Sequence, residues 1–240
     1  MCHATDPLAS AVDAELAAEW EMFQAVEAGT ASGAWRVWEA PGPAVCVGRR
    51  GSVGQVHEPA CLDDGVPVVR RESGGGAVVL GAGCLNYALV VPLTLRADLL
   101  DVAESFQIIL GQLARALGLP GLGVAGTTDL ALSGHKVSGN AQRRGRRALL
   151  HHGTLLYGFD ASLATRYLAE PERQPTYRAR RRHADFLGNL PLSADRLRRA
   201  VRHVAEVLTG ERAAPAPASV ARGTPAPPTG TRAPNCRSAS

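Results

Sequence analysis

The chain has 240 residues, a net charge of +4 and an apolar content of 45%, which together fit one globular domain with a substantial core. Aromatic residues make up only 5% of the sequence, which disfavours nucleic-acid binding by base stacking. No stretch has the roughly 18 apolar residues that a membrane span needs, and the first ten residues lack a signal-peptide pattern. The five cysteines are scattered without a CxxC pair, which is not typical of a disulfide framework or a zinc site. We therefore expect a cytoplasmic protein with no nucleic-acid partner, no membrane and no metal site.

Hydrophobic periodicity predicts helices at both ends of the chain and strands between them. In chain order it predicts a helix at 9–28, strands at 34–39, 44–49, 66–70 and 85–92, and a helix at 101–117. Further strand segments are predicted at 129–132, 136–142 and 148–156, and the turn Ser133-Gly134-His135 joins the first two as a hairpin. Late helices are predicted at 161–168, 183–187 and 193–208.

Strands outnumber helices and do not alternate with them one for one. This order predicts an α+β fold with a mixed, largely antiparallel β-sheet flanked by helices. From residue 213 onward the sequence is mostly Ala, Pro, Gly, Thr, Ser and Arg, with almost nothing to bury. We therefore expect one folded domain at 1–212, a disordered tail at 213–240 and no accessory domain at the C-terminus.

Three consecutive glycines follow two arginines after an apolar run, in the stretch Arg70-Arg71-Glu72-Ser73-Gly74-Gly75-Gly76-Ala77. Glycine has no Cβ, so this backbone can lie against a ligand and its N–H groups can surround an anion. The two arginines supply charge for a phosphate or carboxylate. The spacing matches neither GxGxxG nor the Walker motif. Taken alone, the stretch fits an anion-binding loop and an ordinary glycine-rich turn about equally well.

Polar residues cluster again between 129 and 154. Lys136 follows the hairpin turn, and its ammonium is suited to neutralise a carboxylate or phosphate oxygen during group transfer. An ordinary exposed lysine is the alternative interpretation. His152 lies beside leucine runs, where a core histidine is the commoner case. Asn86 and Asn140 fit turn or hydrogen-bonding roles, and Asp129 fits a strand-end cap.

The blocks become specific when they are taken together and in order. They are Arg-Arg-x-Ser-Gly-Gly-Gly-Ala-Val, Leu-Asn-Tyr, Asp-Leu, Lys-Val-Ser-Gly-Asn-Ala-Gln-Arg and His-His-Gly-Thr-Leu-Leu. This series resembles the lipoate–protein ligase A family, within the wider group of biotin and lipoate protein ligases and octanoyltransferases. The resemblance covers about residues 12–189 and includes Val-Gly-Arg at 47–49. It implies a catalytic domain of the biotin/lipoate ligase type.

The resemblance also implies an activity and a set of site residues. Such a protein activates lipoate with ATP and Mg²⁺ to lipoyl-AMP, then transfers the lipoyl group to a lysine of a lipoyl carrier domain. Lys136 matches the catalytic lysine, which contacts the activated carboxyl and phosphate oxygens. Substrate and adenylate binding is expected at Arg71, Ser73, Gly74, Gly75, Gly76, Ala77, Asn86, Asp129, Ser138, Gly139, His152, Gly153 and Thr154. The lipoyl chain is expected to lie against Val78, Leu85, Leu149 and Leu150.

Two alternative functions remain open from the sequence. One is an octanoyl or lipoyl transferase that takes its acyl group from an acyl carrier through a cysteine thioester, without ATP. Cys84 is the only cysteine inside a motif block, and a small buried hydrophobe is its other interpretation. The second alternative is a non-catalytic lipoate-binding or scaffold subunit. The sequence also departs from the family's pattern, because Leu80-Gly81 and Gly83-Cys84 stand where His-Asp and Gly-Asn are usual.

Partners follow from the same resemblance. Ligases of this family often carry an accessory domain after the catalytic domain, so a separate accessory subunit is an expected partner beside the lipoyl carrier domain. Two arginine clusters, at 143–147 and 178–182, are predicted to steer an acidic carrier domain toward the site.

Overall fold

The computed structural model describes residues 6–51 and 53–209, and the predicted tail at 213–240 lies outside the described residues. The helices are Pro7–Ala28 (α1), Glu58–Asp63 (α2), Val102–Leu117 (α3), Ala161–Tyr167 (α4), His183–Phe186 (α5) and Ala194–Thr209 (α6). The strands are Ala34–Trp38 (β1), Ala44–Val47 (β2), Val68–Arg70 (β3), Val78–Leu80 (β4), Cys84–Pro92 (β5), Leu122–Ala125 (β6), Asp129–Leu132 (β7), His135–Arg144 (β8) and Ala148–Leu156 (β9). No helix in these ranges has the length and apolarity to cross a membrane.

The strands form two sheets. Six of them make an antiparallel sheet in the order β1-β5-β9-β8-β7-β6. The other three make a small mixed sheet in the order β3-β2-β4, in which β2 and β3 are parallel. The predicted α+β class with a mixed, largely antiparallel sheet is therefore confirmed.

Helices cover both faces of the large sheet, and β5 shows this most clearly because every one of its residues is buried. Side chains alternate along a strand, so Leu85, Tyr87 and Leu89 face the main core formed with α3 and α6. Ala88 and Val90 face the other way and pack against α1. A further core, which also includes α1, joins the small sheet to α2 and α4. The long first helix therefore connects the two sheets.

Several predicted features are confirmed at their positions. The helix predicted at 101–117 begins one residue later, because the Asp101 side chain caps it by accepting the Glu104 N–H at 2.9 Å. The hairpin turn is present, with positive φ at Ser133 (50°) and Gly134 (77°). Positive φ at both central residues is what a two-residue turn needs to match the twist of the flanking strands.

Three short elements were not predicted. Helix α2 has six residues and contains a proline, so it shows no helical repeat of apolar residues. Strand β4 has three residues and begins after Ala77, which follows the glycines. Strand β6 contains a glycine and is only half buried along its length. Segments this short carry too little periodicity to separate them from loops.

Candidate active site

A cavity of about 750 Å³ opens where the small sheet, the glycine loop (residues 71–77) and the large sheet meet. This volume is typical of small-molecule sites. Its apolar wall includes Leu16, Trp38, Val78, Val79, Leu80, Leu156, Phe159 and Leu168. Its polar wall includes Glu19, Gln55, Thr128, Asn140 and Gln142 in addition to predicted site residues. The cavity is therefore suited to a ligand with an apolar chain and a polar, anionic head.

Most of the residues assigned from the sequence lie on this cavity. Those that line it are Arg71, Gly74, Gly75, Gly76, Ala77, Asn86, Asp129, Lys136, Gly139, His152, Gly153 and Thr154. Ser73 and Ser138 are fully buried just behind the wall and support it through hydrogen bonds. Cys84 is also fully buried and does not line the cavity.

The two arginines before the glycines hold the loop in place. The Arg71 guanidinium donates to the carbonyl oxygens of Cys46 (3.1 Å), Gly74 (2.8 Å) and Gly76 (2.9 Å). The Arg70 guanidinium donates to the carbonyl oxygen of Gly48 at 2.7 Å. Both arginines thus contact the backbone, and Arg71 also lines the cavity, so its contact with an anion stays a prediction. A planar guanidinium with several N–H donors is well matched to converging carbonyl oxygens, and that is how these two are used.

The glycine loop itself presents backbone donors. The N–H groups of Gly74, Gly75 and Gly76 form no hydrogen bond within the described part of the chain. Gly75 has φ of +93°, a conformation that favours glycine. The loop also lies against Gly48, where an added Cβ would be 2.2 Å from the Gly75 carbonyl oxygen. The loop backbone is thus held against Gly48 on one side, while its N–H groups remain free to bind a ligand, as an anion site requires.

A buried chain of hydrogen bonds anchors this loop to helix α1. The Arg71 Nε donates to Ser73 Oγ at 3.1 Å, and Ser73 Oγ lies 2.5 Å from His152 Nε2. On the other side of the ring, His152 Nδ1 lies 2.5 Å from Glu19 Oε2. Glu19 is 3% exposed and also accepts the Trp38 indole N–H at 2.8 Å. Each donor meets an acceptor along the chain, so the buried polar groups stabilise rather than destabilise the fold.

A second chain of hydrogen bonds supports the opposite wall. Burial lowers the pKa of His151 to about 3, so its ring is neutral, and it lies between Gln142 (3.1 Å) and the Tyr87 hydroxyl (3.2 Å). The Tyr87 hydroxyl donates to Asn140 Oδ1 at 2.6 Å. Asn140 Nδ2 in turn donates to the Thr128 carbonyl oxygen at 2.8 Å. This chain fixes the backbone next to Asp129.

Asn140 needs a glycine on the adjacent strand. A Cβ at Gly153 would be 1.9 Å from Asn140 Oδ1 and 2.7 Å from the Gly139 carbonyl oxygen. The glycine of the His-His-Gly-Thr block is therefore required by close approach of β8 to β9.

Lys136 forms an ion pair on the cavity wall. Its Nζ lies 2.8 Å from Asp129 Oδ1, and the lysine side chain remains 25% exposed. Asp129 Oδ2 accepts the Tyr177 hydroxyl at 2.7 Å, and Oδ1 also accepts the Thr128 hydroxyl at 3.2 Å. Burial, together with the neighbouring carboxylate, raises the pKa of Tyr177, so this hydroxyl stays a donor.

The segment 169–187 closes one side of the cavity. Arg178 is buried, pairs with the Glu170 carboxylate and lies over the Phe186 ring at 4.8 Å. Arg181 lies over the same ring and donates to the Gly134 carbonyl oxygen at 2.7 Å. Charge, aromatic packing and backbone bonds together hold this segment against the large sheet.

The arginine clusters are only partly available to a partner, which corrects the interpretation from sequence. Arg178 and Arg181 serve the internal contacts above, and Arg144 donates to Ser105 Oγ at 3.1 Å. In each cluster, guanidinium groups satisfy carbonyl, hydroxyl or carboxylate oxygens of the fold. The exposed members are Arg146, Arg147, Arg180 and Arg182.

The expected lining of the apolar slot is wrong for three of its four residues. Leu85 and Leu149 lie in the main core, and Leu150 lies in the core against α1. Only Val78 lines the cavity. Because both faces of the large sheet are covered, these three leucines serve the cores. The apolar wall comes from the small sheet, from Trp38 and Leu156 at the ends of β1 and β9, and from Leu16, Phe159 and Leu168.

Glu19 and Trp38 also line the cavity, and the sequence analysis assigns no site role to either. The sequence predicts a strand at Trp38 and no ligand contact, and Glu19 has no motif around it. The sequence gives one weak signal for Glu19, which is an acidic residue next to Trp20 on the apolar side of an amphipathic helix. Its partner His152 is 133 residues away in the sequence.

A sequence model of the lipoyl protein ligase A/B catalytic domain matches residues 12–197. The chain belongs to this family. The match spans both sheets, the glycine loop and Lys136, so the family assignment and the cavity concern the same part of the molecule. The predicted family resemblance is confirmed.

Known relatives within the family carry two kinds of name. The lipoate-protein ligase LplJ of Bacillus subtilis is 30% identical over 118 residues, which are 48% of this chain and 34% of that protein. The octanoyl-[GcvH]:protein N-octanoyltransferase of Kyrpidia tusciae is 28% identical over 180 residues, 65% of this chain and 61% of that protein. The chain therefore spans less than two thirds of either curated relative.

Solved structures show the same fold at low sequence identity. A lipoate-protein ligase A bound with ATP superposes with a TM-score of 0.69 at 20% identity, covering 85% of this chain and 83% of that one. A bi-partite lipoate protein ligase of Thermoplasma acidophilum, described with its E2 lipoyl domain, gives 0.66 at 18% identity, with 86% and 84% covered. The expectation of a lipoate ligase catalytic-domain fold is confirmed.

Proposed function

We propose that this chain is the catalytic subunit of a lipoate–protein ligase. It activates lipoate with MgATP to lipoyl-AMP and transfers the lipoyl group to a lysine of a lipoyl carrier domain. The observation that carries the proposal is the joint presence of Lys136 and the open N–H groups of the glycine loop on one cavity of about 750 Å³.

The ligand's chemistry fits the two kinds of wall. A lipoyl chain is apolar and needs a dry slot, which Trp38, Val79 and Leu156 help to form. The adenylate phosphate is an anion and needs backbone N–H donors, which Gly74–Gly76 present. Mg²⁺ enters as MgATP and belongs to the substrate. Two similar solved structures support the same substrates: a lipoate-protein ligase A bound with ATP, and a bi-partite lipoate protein ligase described with its E2 lipoyl domain.

Lys136 is the only lysine in the sequence, and the other 25 of its 26 basic Lys and Arg residues are arginines. A compact ammonium can contact a carbonyl oxygen and a phosphate oxygen of the acyl-adenylate at once, whereas a guanidinium is a wide planar fork. In the transition state, negative charge develops on the attacked carboxyl, and a fixed ammonium stabilises it. The role of the rest of the site is to hold both substrates in line.

A second candidate function, acyl transfer through a cysteine without ATP, is favoured by one observation. Cys46 lines the cavity, with its Sγ 3.9 Å from an Arg71 nitrogen. Against it, burial raises the pKa of the Cys46 thiol despite the nearby Arg71 charge. Burial raises the pKa of Cys84 to about 12, and a buried thiol of this kind is inert. The ligase reaction therefore has the stronger support.

The test is the intact mass of an apo lipoyl carrier domain after incubation with the protein. One reaction contains ATP, Mg²⁺ and lipoate, and the other contains an octanoyl carrier protein without ATP. Activation alone is measured in parallel by lipoate-dependent exchange between pyrophosphate and ATP. The variants Lys136→Ala and Cys46→Ser are run beside the unchanged protein.

We expect a lipoyl mass shift in the first reaction, lost in Lys136→Ala and kept in Cys46→Ser. Exchange without transfer would assign transfer to a complex with an accessory subunit. An octanoyl shift in the second reaction alone, lost in Cys46→Ser, would replace the ligase by the cysteine transferase. Absence of exchange and of both mass shifts would contradict the proposal and favour a scaffold role.

A further inference from the structure

The only lysine of the chain stands at the place where, under the proposed function, an acyl-adenylate is formed. An acyl-adenylate acylates amines, which is the reason it can modify a carrier lysine. The enzyme's own Lys136 is a primary amine on the wall of the same cavity. Its side chain is 25% exposed, so burial does not shield it. An acylated Lys136 would lose its charge and its place in the site.

One carboxylate faces this amine. Asp129 lies 2.8 Å from Nζ and is itself 7% exposed. Within the described ranges no other acidic side chain pairs with Lys136, and Glu170 of the covering segment is paired with Arg178. His183, which also lines the cavity, has a pKa lowered by burial and brings no negative charge.

Asp129 is held on its far side. Its Oδ2 accepts the Tyr177 hydroxyl at 2.7 Å, while Oδ1 accepts both Lys136 and the Thr128 hydroxyl. Tyr177 belongs to the segment 169–187, whose ring packing against Phe186 (5.1 Å between centroids) fixes it. The carboxylate therefore cannot turn away from the lysine without breaking this part-buried hydrogen bond.

We propose that the Asp129–Tyr177 pair guards Lys136 against self-acylation, and that Tyr177 is the positioning residue of this guard. The physiological meaning of the guard rests on the proposed ligase function. The 2.8 Å ion pair holds the Lys136 nitrogen against the Asp129 carboxylate, and a nitrogen that donates a hydrogen there is held away from a carbonyl carbon in the cavity. The positive charge of Lys136 can still stabilise the adenylate, while its nitrogen is kept from attacking the acyl group.

The reaction that the guard prevents is simple to write. A deprotonated Lys136 would attack the carbonyl carbon of lipoyl-AMP, and an amide N–C bond would form. The C–O bond to AMP would break, AMP would leave with the electron pair, and the amine would release a proton to solvent. No oxidant or other reactant takes part.

The test measures the reactivity of one amine. The full-length protein and its variants are treated with N-hydroxysulfosuccinimide acetate, then with hydroxylamine to remove ester, thioester and imidazole adducts. Because the sequence has one lysine, the remaining acetyl groups lie on Lys136 or on the α-amine, which serves as an internal reference. Peptide mass spectrometry gives the ratio of the two rates.

We expect Lys136 to react about tenfold faster in Asp129→Asn than in the unchanged protein, because the charge-assisted hydrogen bond that holds its nitrogen is lost. Tyr177→Phe should raise the rate about threefold, since the Asp129 carboxylate can then turn away from the lysine without breaking a hydrogen bond to Tyr177. Tyr157→Phe is the matched control, because its hydroxyl also donates to a carboxylate at 2.7 Å, on Glu39 and away from Lys136. The ratio of Lys136 to α-amine acetylation in Tyr157→Phe should equal that of the unchanged protein.

A second arm uses ATP, Mg²⁺ and octanoate without any carrier, and follows the mass of the protein itself. Self-octanoylation should be greater in Asp129→Asn and Tyr177→Phe than in the unchanged protein. The proposal would be overturned if, in the reagent arm, the ratio of Lys136 to α-amine acetylation in Tyr177→Phe and in Asp129→Asn stayed within twofold of the ratio in the unchanged protein. If Asp129→Asn does not fold, Tyr177→Phe alone decides. The reagent arm needs no adenylation, so failure of the proposed function would appear only in the second arm.

Discussion

Replacing Glu19 by alanine tests the buried hydrogen-bond chain behind the glycine loop. The carboxylate accepts from the Trp38 indole at 2.8 Å and from His152 Nδ1 at 2.5 Å, and all three residues are buried. Alanine removes both acceptors and leaves two buried donors without partners. Each unpaired buried donor costs about 1–3 kcal/mol, so we expect a loss of about 4 kcal/mol in the free energy of unfolding.

The measurement is urea unfolding followed by tryptophan fluorescence and circular dichroism. Glu19→Gln should cost about half as much as Glu19→Ala, because the amide oxygen still accepts from Trp38 while its NH₂ group cannot accept from His152. Glu21→Ala is the matched control. Glu21 lies on the same helix and is exposed, so its loss should change stability by less than about 0.5 kcal/mol.

Two results would refute the reasoning about Glu19. One is a loss below about 1 kcal/mol for Glu19→Ala, which would mean that water or another group satisfies His152 and Trp38. The other is an equal loss for Glu21→Ala, which would assign the effect to the helix rather than to the buried pair. A loss of about 4 kcal/mol is large against the roughly 5–15 kcal/mol that stabilises a domain.

Three further predictions follow from the site and its supports. Gly48→Ala places a methyl group 2.2 Å from the Gly75 carbonyl oxygen and should weaken adenylate binding by at least about tenfold in calorimetry, whereas Gly81→Ala, with its nearest contact at 3.7 Å, should not. Lys136→Arg keeps the charge but not its shape, and we expect the rate of lipoyl transfer to fall by about 100-fold or more with carrier binding retained; unchanged transfer would contradict the assigned role. Partial burial pushes the pKa of Glu27 up, but N–H donation from Arg147, Arg146 and Ala148 outweighs this, and the pKa lies below its ordinary value of 4.5. The Glu27 carboxylate therefore stabilises the fold above pH 4.5 and loses this effect as the pH falls through the lowered pKa, so the stability difference from Glu27→Gln should shrink toward pH 3; a difference independent of pH would contradict it.

The sequence by itself determined the elements that have a clear repeat. Apolar spacing placed α1, α3, α6 and the long strands because burial on one face repeats every 3.6 or 2 residues. The order of the motif blocks predicted the family. The resemblance assigned Lys136 and Gly74–Gly76 to the site, and the structure places them all on one cavity.

Only the tertiary structure decided how the distant residues pair. Glu19, His152 and Ser73 come from a helix, a strand and a loop, and no local pattern links them. Arg71 could serve an anion or the backbone, and its choice of carbonyl acceptors depends on where Cys46 lies across the small sheet. Packing sets these distances, whereas periodicity reports only which face of an element is buried. The packing of the two sheets and helix α1 therefore determines which hydrogen bonds form in the site, and the sequence determines which donors and acceptors are available.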